Sequence, residues 1–477
     1  MTKKTQILFI HQNYPAQFKS LAPYLIKDKR FEVHIMHARD KNEEVNEKGA
    51  IMHRYGFNRD TTQGIHPLAA EFETKMIRAE SAYGEAKKLK KEGLNPKLII
   101  AHPGWGEAYL LKLIWPSTKV LSYHEFYYSI KDSDIDFDTS NPYSVEDSED
   151  IQKKLIARNA PLLMSFNQSD AMISPTDFQR KTAPKIYHNK INVIHDGIDT
   201  NIVKKYPDAY LNLNKDGKEI KITKKDKIVS FVNRTLEPYR GYHKFINSIP
   251  SIQKEHPDTY FILVGSFDKD TVSYGALPPK GESFRDLFLK DIIDEIDMTK
   301  VFFPGRIQYD HLLTLFSITS AHIYFTYPFV LSWSMLEAMA CGLPVICTGG
   351  GATDDFATDG FAYRLKSEAF EFGDQVNGEP LVHQGWLLEP SFSDLKQRLR
   401  WVFGHEGEAQ AAERHVELVL PRGQPQHIAQ LEEWSHDLEL RLVPSLARDL
   451  VDRTVDTPVL QPQHGGASEL RRPFDRL

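Results

Sequence analysis

The chain has 477 residues, 41% hydrophobic and 26% charged, with a formal net charge of −6. That size suits two or three soluble α/β domains, each able to bury a sizeable core, and no part of the chain is basic enough to suggest nucleic-acid binding. No run approaches the eighteen apolar residues of a membrane-spanning helix.

The opening stretch MTKKTQILFIHQNYP holds a four-residue apolar run, too short for a signal peptide. Two cysteines, Cys341 and Cys347, make neither a metal-ligand set nor a disulfide framework. Both features point to a cytoplasmic protein. In chain order, ILFI (7–10), FEVHIM (31–36), LIIAH (98–102), KVLSYH (119–124) and INVIHDG (191–197) read as strands. FKSLAPYLIKD and EAKKLKKEGL between them read as helices. This alternation predicts a parallel sheet. A Lys-rich stretch, LNLNKDGKEIKITKKDK, follows as a hairpin or a connection between lobes. A second series then begins: IVSFVN (228–233), TYFILVG (259–265), KVFFPG (300–305), AHIYFTY (321–327) and PVICT (344–348). The expected architecture is α/β, two tandem Rossmann-like doubly wound lobes facing a cleft. Ligands should sit at the carboxyl ends of the strands.

Beyond Thr348 the composition changes. The chain uses 35 Lys and 11 Arg up to that point, then 2 Lys and 11 Arg. The whole acidic excess also lies there, with 13 basic against 22 acidic residues in 349–477. A different ancestry for this segment, or a fused reading frame, would produce such a break. QGWLLEPSFSDLKQRLRWVF reads as a strand and an amphipathic helix, IAQLEEWSHDLELRL (428–442) as a further helix, and the last residues as a poorly ordered tail.

Four stretches carry candidate chemistry. In TYPFVLSWSMLEAMACGLPV (326–345), a helix begins near Ser332–Ser334 and is closed by Gly342 and Pro344. Glu337 completes a Ser-x-x-Glu pattern with Ser334 and could bond back to a helix-start amide. Alternatively, the helix N-terminus faces an anion and Glu337 accepts hydrogen bonds from the two hydroxyls of a ribose. In FVNRTLEPYRGYH (231–243), Arg234 and Arg240 follow a strand, and Gly241 lets the backbone come close. They are either surface arginines or a bidentate clamp for a diphosphate. His124, with Glu125, ends a strand in KVLSYHEFYY. Gly104, Gly106 and Glu107 form a tight loop at another strand end, either an ordinary turn or a ligand loop. The first strand leads into HQNYPAQF, with no dinucleotide-binding glycine pattern. KDSDIDFD (131–138) is an acidic surface loop or, less in keeping with its lack of a supporting strand, a metal site. Lys87, Lys88, Lys90 and Lys91 form a solvated face or a weak contact with an anionic membrane.

Taken together, LFIHQNYPAQF, HPGWGE, YHEFYY, VIHDGID, RTLEPYRG and TYPFVLSWSMLEAMACGLPV resemble glycosyltransferase family 4, the retaining GT-B type. The resemblance covers about residues 5–348 closely and runs more loosely to about 405. It implies that Arg234 and Arg240 contact the donor diphosphate, that Glu337 holds the ribose and that His124 touches the donor sugar. It also implies donor contacts from Gly241, Arg306, Ile307 and the amides of Val330 and Leu331, and acceptor-side roles for Gly104, Gly106 and Glu107. The family's signature has a second acid eight positions before the ribose glutamate; here that position is Phe329.

The implied activity is transfer of a sugar, with retention, from a UDP-, GDP- or ADP-sugar to a glycan, lipid-linked or small-molecule acceptor in polysaccharide biosynthesis. No cofactor or metal is implied. The alternatives are a nucleotide-sugar epimerase of the same fold and a non-catalytic nucleotide-sugar binder. The implied domains are 1–200 on the acceptor side, 201–425 on the donor side, and 426–477 as a terminal helix and tail.

Overall fold

A computed structural model describes residues 4–38, 47–129, 133–135, 137–138, 149–215, 217–357, 362–365, 367–371, 375–376, 379–380 and 386–405. The helix expected at 428–442 and the tail lie outside these residues. The chain forms two compact units. The first takes residues up to Tyr128 together with Lys153–His195; the second takes Ser129–Gln152 and continues from Asp196.

The first unit is built on seven parallel strands: β1 (Thr5–Ile10), β2 (Phe31–His37), β3 (Ile51–Arg54), β4 (Leu98–Ala101), β5 (Lys119–Tyr123), β6 (Ala171–Ser174) and β7 (Ile191–Val193). Their spatial order is β3-β2-β1-β4-β5-β6-β7, and every pairing is parallel. Ile7, Leu8, Phe9 and Ile10 are all fully buried, as expected for a strand covered on both faces. Successive side chains point to opposite sides. Ile7 and Phe9 therefore join Phe18, Leu25 and Val33, while Leu8 and Ile10 join Ala82, Ala86 and Leu89 of the helix Pro67–Lys91.

In the second unit, Tyr210–Lys215 (β8) and Lys218–Thr223 (β9) form the antiparallel hairpin anticipated from the Lys-rich stretch. The sheet proper consists of β10 (Ile228–Thr235), β11 (Tyr260–Ser266), β12 (Val301–Gly305), β13 (Ala321–Tyr324), β14 (Val345–Cys347) and β15 (Tyr363–Arg364). Its order is β12-β11-β10-β13-β14-β15, again all parallel. Both sheets are thus doubly wound α/β structures of Rossmann type. In each, strand order reverses beside the first strand: between β1 and β4 in one unit, and between β10 and β13 in the other. The loops leaving those two strands diverge to opposite faces and open a crevice, so this is where a ligand is expected.

The helix Phe392–Gly404 belongs to the core of the second unit. Leu395, Leu399 and Val402 are buried among Phe245, Ile249 and Ile346. The change in Lys and Arg usage therefore falls inside one packed core, because composition on a helix's solvent face does not alter the apolar stripe that packs.

Candidate functional site

The second unit's switch point gathers the loop after β10 and the helix after β13. That helix, Trp333–Ala340, starts from Ser332, whose side chain makes no cap; Ser332 Oγ meets Ser334 Oγ at 2.9 Å instead. Ser334 is the second residue of the helix, so the Ser-x-x-Glu capping box is out of register and does not form. Glu337, 5% exposed, accepts a 2.9 Å hydrogen bond at Oε1 from Tyr309 Oη. The bond orients the carboxylate and pushes the Tyr309 hydroxyl pKa up, after burial itself. A carboxylate accepts about four hydrogen bonds, so Glu337 can hold Tyr309 and a vicinal diol together.

The loop after β10 turns sharply. Gly241 has φ +75°, and a Cβ there would lie 2.3 Å from Phe325 O, so only glycine lets this turn press against the end of β13. The two arginines differ in setting. Arg234 is exposed at the end of β10. Arg240 is 9% exposed, lies over the Tyr274 ring at 5.0 Å, and has its Nε 4.0 Å from Glu237 Oε1. That distance is too long for a hydrogen bond. Glu237 itself is fully buried and accepts 2.6 Å from Ser273 N through Oε2. Arg306 is exposed and Ile307 half-buried, directly after β12; Val330 is half-buried and Leu331 buried, just before the helix. The end of β13, the Arg240 turn and a helix start meet here, Gly241 lying against Phe325 O and Ser334 Oγ donating to Val232 O at 3.4 Å, an arrangement suited to an anionic ligand carrying a diol.

Phe329, where the resemblance implies an acid, is 4% exposed and packs edge-on against Tyr239 and Tyr274 at 5.2 and 4.9 Å. Apolar rings fill that place, and an ionised side chain among them would carry a desolvation cost.

A match to the family model "Glycosyl transferase family 4 group" spans residues 29–203, and one to "Glycosyl transferases group 1" spans 214–371. Together they cover more than half of the chain. The chain belongs to the family 4 glycosyltransferases.

No curated protein matches the chain. Among solved structures, sucrose-phosphate synthase from Thermosynechococcus elongatus superposes with a TM-score of 0.62 at 14% identity, over 91% of this chain and 99% of that one. The catalytic domain of starch synthase IV from Arabidopsis thaliana, bound to ADP and acarbose, gives 0.56 at 13%, over 93% and 100%. Anabaena HepE in complex with UDP and glucose gives 0.55 at 13%, over 91% and 99%. At such identities the likeness concerns the fold, which is GT-B.

In the first unit of this glycosyltransferase, the other candidate residues lie at strand ends but mostly face inward. His124 is fully buried after β5, with Nε2–H donating 3.0 Å to Gln179 O and its ring edge-on to Phe166. Burial pulls its pKa down to about 4, so the imidazole is neutral at pH 7. Glu107 Oε1 accepts from Gln12 N at 2.9 Å and from Tyr55 Oη at 3.2 Å, pinning the loop after β4 to the loop after β1. Gly106, at φ +94°, packs against the Lys75 carbonyl, and Gly104 N donates to His102 Nδ1.

Asp134 and Asp138 correct the reading of KDSDIDFD as an acidic surface loop. Both are buried, and both belong to the second unit. Tyr239 Oη donates to Asp134 Oδ2; His243 Nε2 and Tyr327 Oη donate to Asp138 Oδ2 at 2.9 and 2.6 Å. Burial alone would raise the Asp138 pKa, but the His243 bond and charge, with Lys244 and Tyr327, hold it below the ordinary value. The alternating acids gave no signal distinguishing this from a solvated loop, since their partners are about a hundred or more residues away.

Proposed function

We propose that the enzyme transfers a sugar, with retention of configuration, from a nucleotide-sugar donor to a glycan, lipid-linked or small-molecule acceptor. The observation that carries this reading is the buried, Tyr309-oriented Glu337 one turn inside a helix whose start lies against β10, Ser334 Oγ donating to Val232 O at 3.4 Å, the strand that leads into Arg234 and Arg240. Glu337 would accept from the ribose hydroxyls, while the guanidinium groups and helix amides meet the diphosphate. As the sugar–phosphate bond breaks, charge grows on the departing phosphate, and preorganised cations stabilise that charge more than the ground state. A donor phosphate oxygen would take the acceptor proton on the same face, so no separate base is needed. The amides of Val330 and Leu331 would face the sugar. Phe329 would give the sugar an apolar neighbour where relatives of this type carry an acid. HepE with UDP and starch synthase with ADP support a nucleoside diphosphate as the leaving group.

The test is a thermal-shift screen of UDP-, GDP- and ADP-sugars, since a ligand bound only by the folded state raises its melting temperature. Release of nucleoside diphosphate with acceptor, and the anomeric configuration of the product, then follow. Glu337→Ala should weaken binding of the selected donor by about 10–100-fold, the loss of hydrogen bonds to a charged group at about 1.5–3 kcal/mol. Unchanged affinity in that variant would remove the ribose assignment.

A further inference from the structure

Asp138 lies in a segment that follows β5 in sequence and is flanked on both sides by first-unit chain, yet it packs inside the second unit. Its described residues, Ser133, Asp134, Ile135, Phe137 and Asp138, are all 9% exposed or less. One oxygen, Asp138 Oδ2, is shared by His243 from the first turn of the helix Tyr242–Glu255 and by Tyr327 from the loop after β13. Lys244 approaches the other oxygen at 3.9 Å. Phe137 packs on the Tyr327 ring at 4.7 Å, and Asp134 bonds Tyr239, the residue before Arg240. The two loops so held are also tied to each other, because Tyr327 N donates to Tyr239 O at 3.1 Å. These loops carry Arg240 and Gly241 on one side and Phe329, Val330 and Leu331 on the other.

We propose that residues 133–135 and 137–138 form a third wall of the donor site, with Asp138 a positioning residue that sets the Arg240 turn against the loop 326–331. The inference rests on the donor reading above. Asp138 reaches the site through Tyr327 and His243, which adjoin the residues facing the ligand. A carboxylate between two donors imposes one spacing on both loops. In a site of this kind a displacement of about 1 Å costs roughly 100-fold in rate.

The experiment compares the full-length parent, Asp138→Asn, Arg240→Ala and the double variant. It measures UDP, GDP and ADP affinity by calorimetry below the melting temperatures, and ligand-free hydrogen exchange. Asp138→Asn should speed exchange in 238–245 and 325–331 and weaken binding of the preferred nucleotide about 10–100-fold, the range spanned by losing a hydrogen bond to a charged group. The double variant should bind no worse than Arg240→Ala alone, since both act at one contact. A lowered melting temperature with parental affinity would reduce Asp138 to a structural residue and overturn the proposal, as would unchanged exchange or fully additive losses. If Asp138→Asn does not fold, Tyr327→Phe, which keeps the carboxylate and removes one bond, is put to the same criteria. A parent that binds none of the three nucleotides sinks the donor reading and this inference together; parental binding matched by Asp138→Asn sinks this inference alone.

Discussion

Glu237 has its pKa pushed up to about 7 by burial, against the opposing pull of Arg240, two backbone amides and Arg234. A carboxyl whose pKa is raised from 4.5 favours the folded state in its protonated form. The contribution is therefore complete below pH 4.5 and lost as pH rises to about 7. Glutamine mimics the protonated form, so the stability of Glu237→Gln relative to the parent should climb across that window by up to about 3 kcal/mol. Urea midpoints at pH 5, 6, 7 and 8 measure it, and a difference independent of pH would reject the assignment. For the arginines, single-turnover rates of Arg234→Ala and Arg240→Ala should fall on the order of 100–1,000-fold, about 3–4 kcal/mol in the barrier. Lysine should rescue only partly at either position, because an ammonium keeps the charge without the fork. Near-parental rates in both alanine variants would dismiss the clamp.

At the scale of elements, the helix Phe392–Gly404 lies beyond the break in Lys and Arg usage, yet Leu399 is fully buried in the second unit's core. Leu399→Ala should cost about 2–5 kcal/mol, as core Leu truncations do. A loss below 0.5 kcal/mol in denaturant titration would mean the helix is not integral to that core. Most strands were legible because a strand covered on both faces is largely apolar, as ILFI is; FEVHIM keeps Phe31, Val33 and Ile35 on one face, with half-buried Glu32 and buried His34 on the other. β3 (IMHR) and β6 (AMIS) were not, because short strands of mixed polarity look like the loops around them. The switch-point helix was legible from Gly342 and Pro344. Its capping register was not: the turn placed Ser332, and not Ser334, at the first boundary.

Across the molecule, burial holds several histidines neutral. His53, His124 and His195 are pulled down to about 4, and His322 to about 3, in each case chiefly by desolvation. A depressed imidazole pKa stabilises the fold above pH 6.5, and that share is lost as pH falls towards 4. Glu237 and Glu107, both raised by burial, pull the other way. Glu47 is raised as well and His256 lowered; the depressed imidazoles outnumber the raised carboxyls, so the melting temperature should fall between pH 6.5 and 4. A flat calorimetric profile over that range would contradict these burials. The sequence by itself determined the two parallel sheets, the turn after β10 that carries Arg240, the helix that carries Glu337, and the family, because apolar period and turn residues are local properties. Only the tertiary structure decided that Glu337 is oriented by Tyr309, that Phe329 closes an aromatic cluster, and that Asp138 belongs to the second unit. Each of those depends on side chains brought together from distant parts of the chain, and the spacing of residues along the chain holds no record of partners that far away.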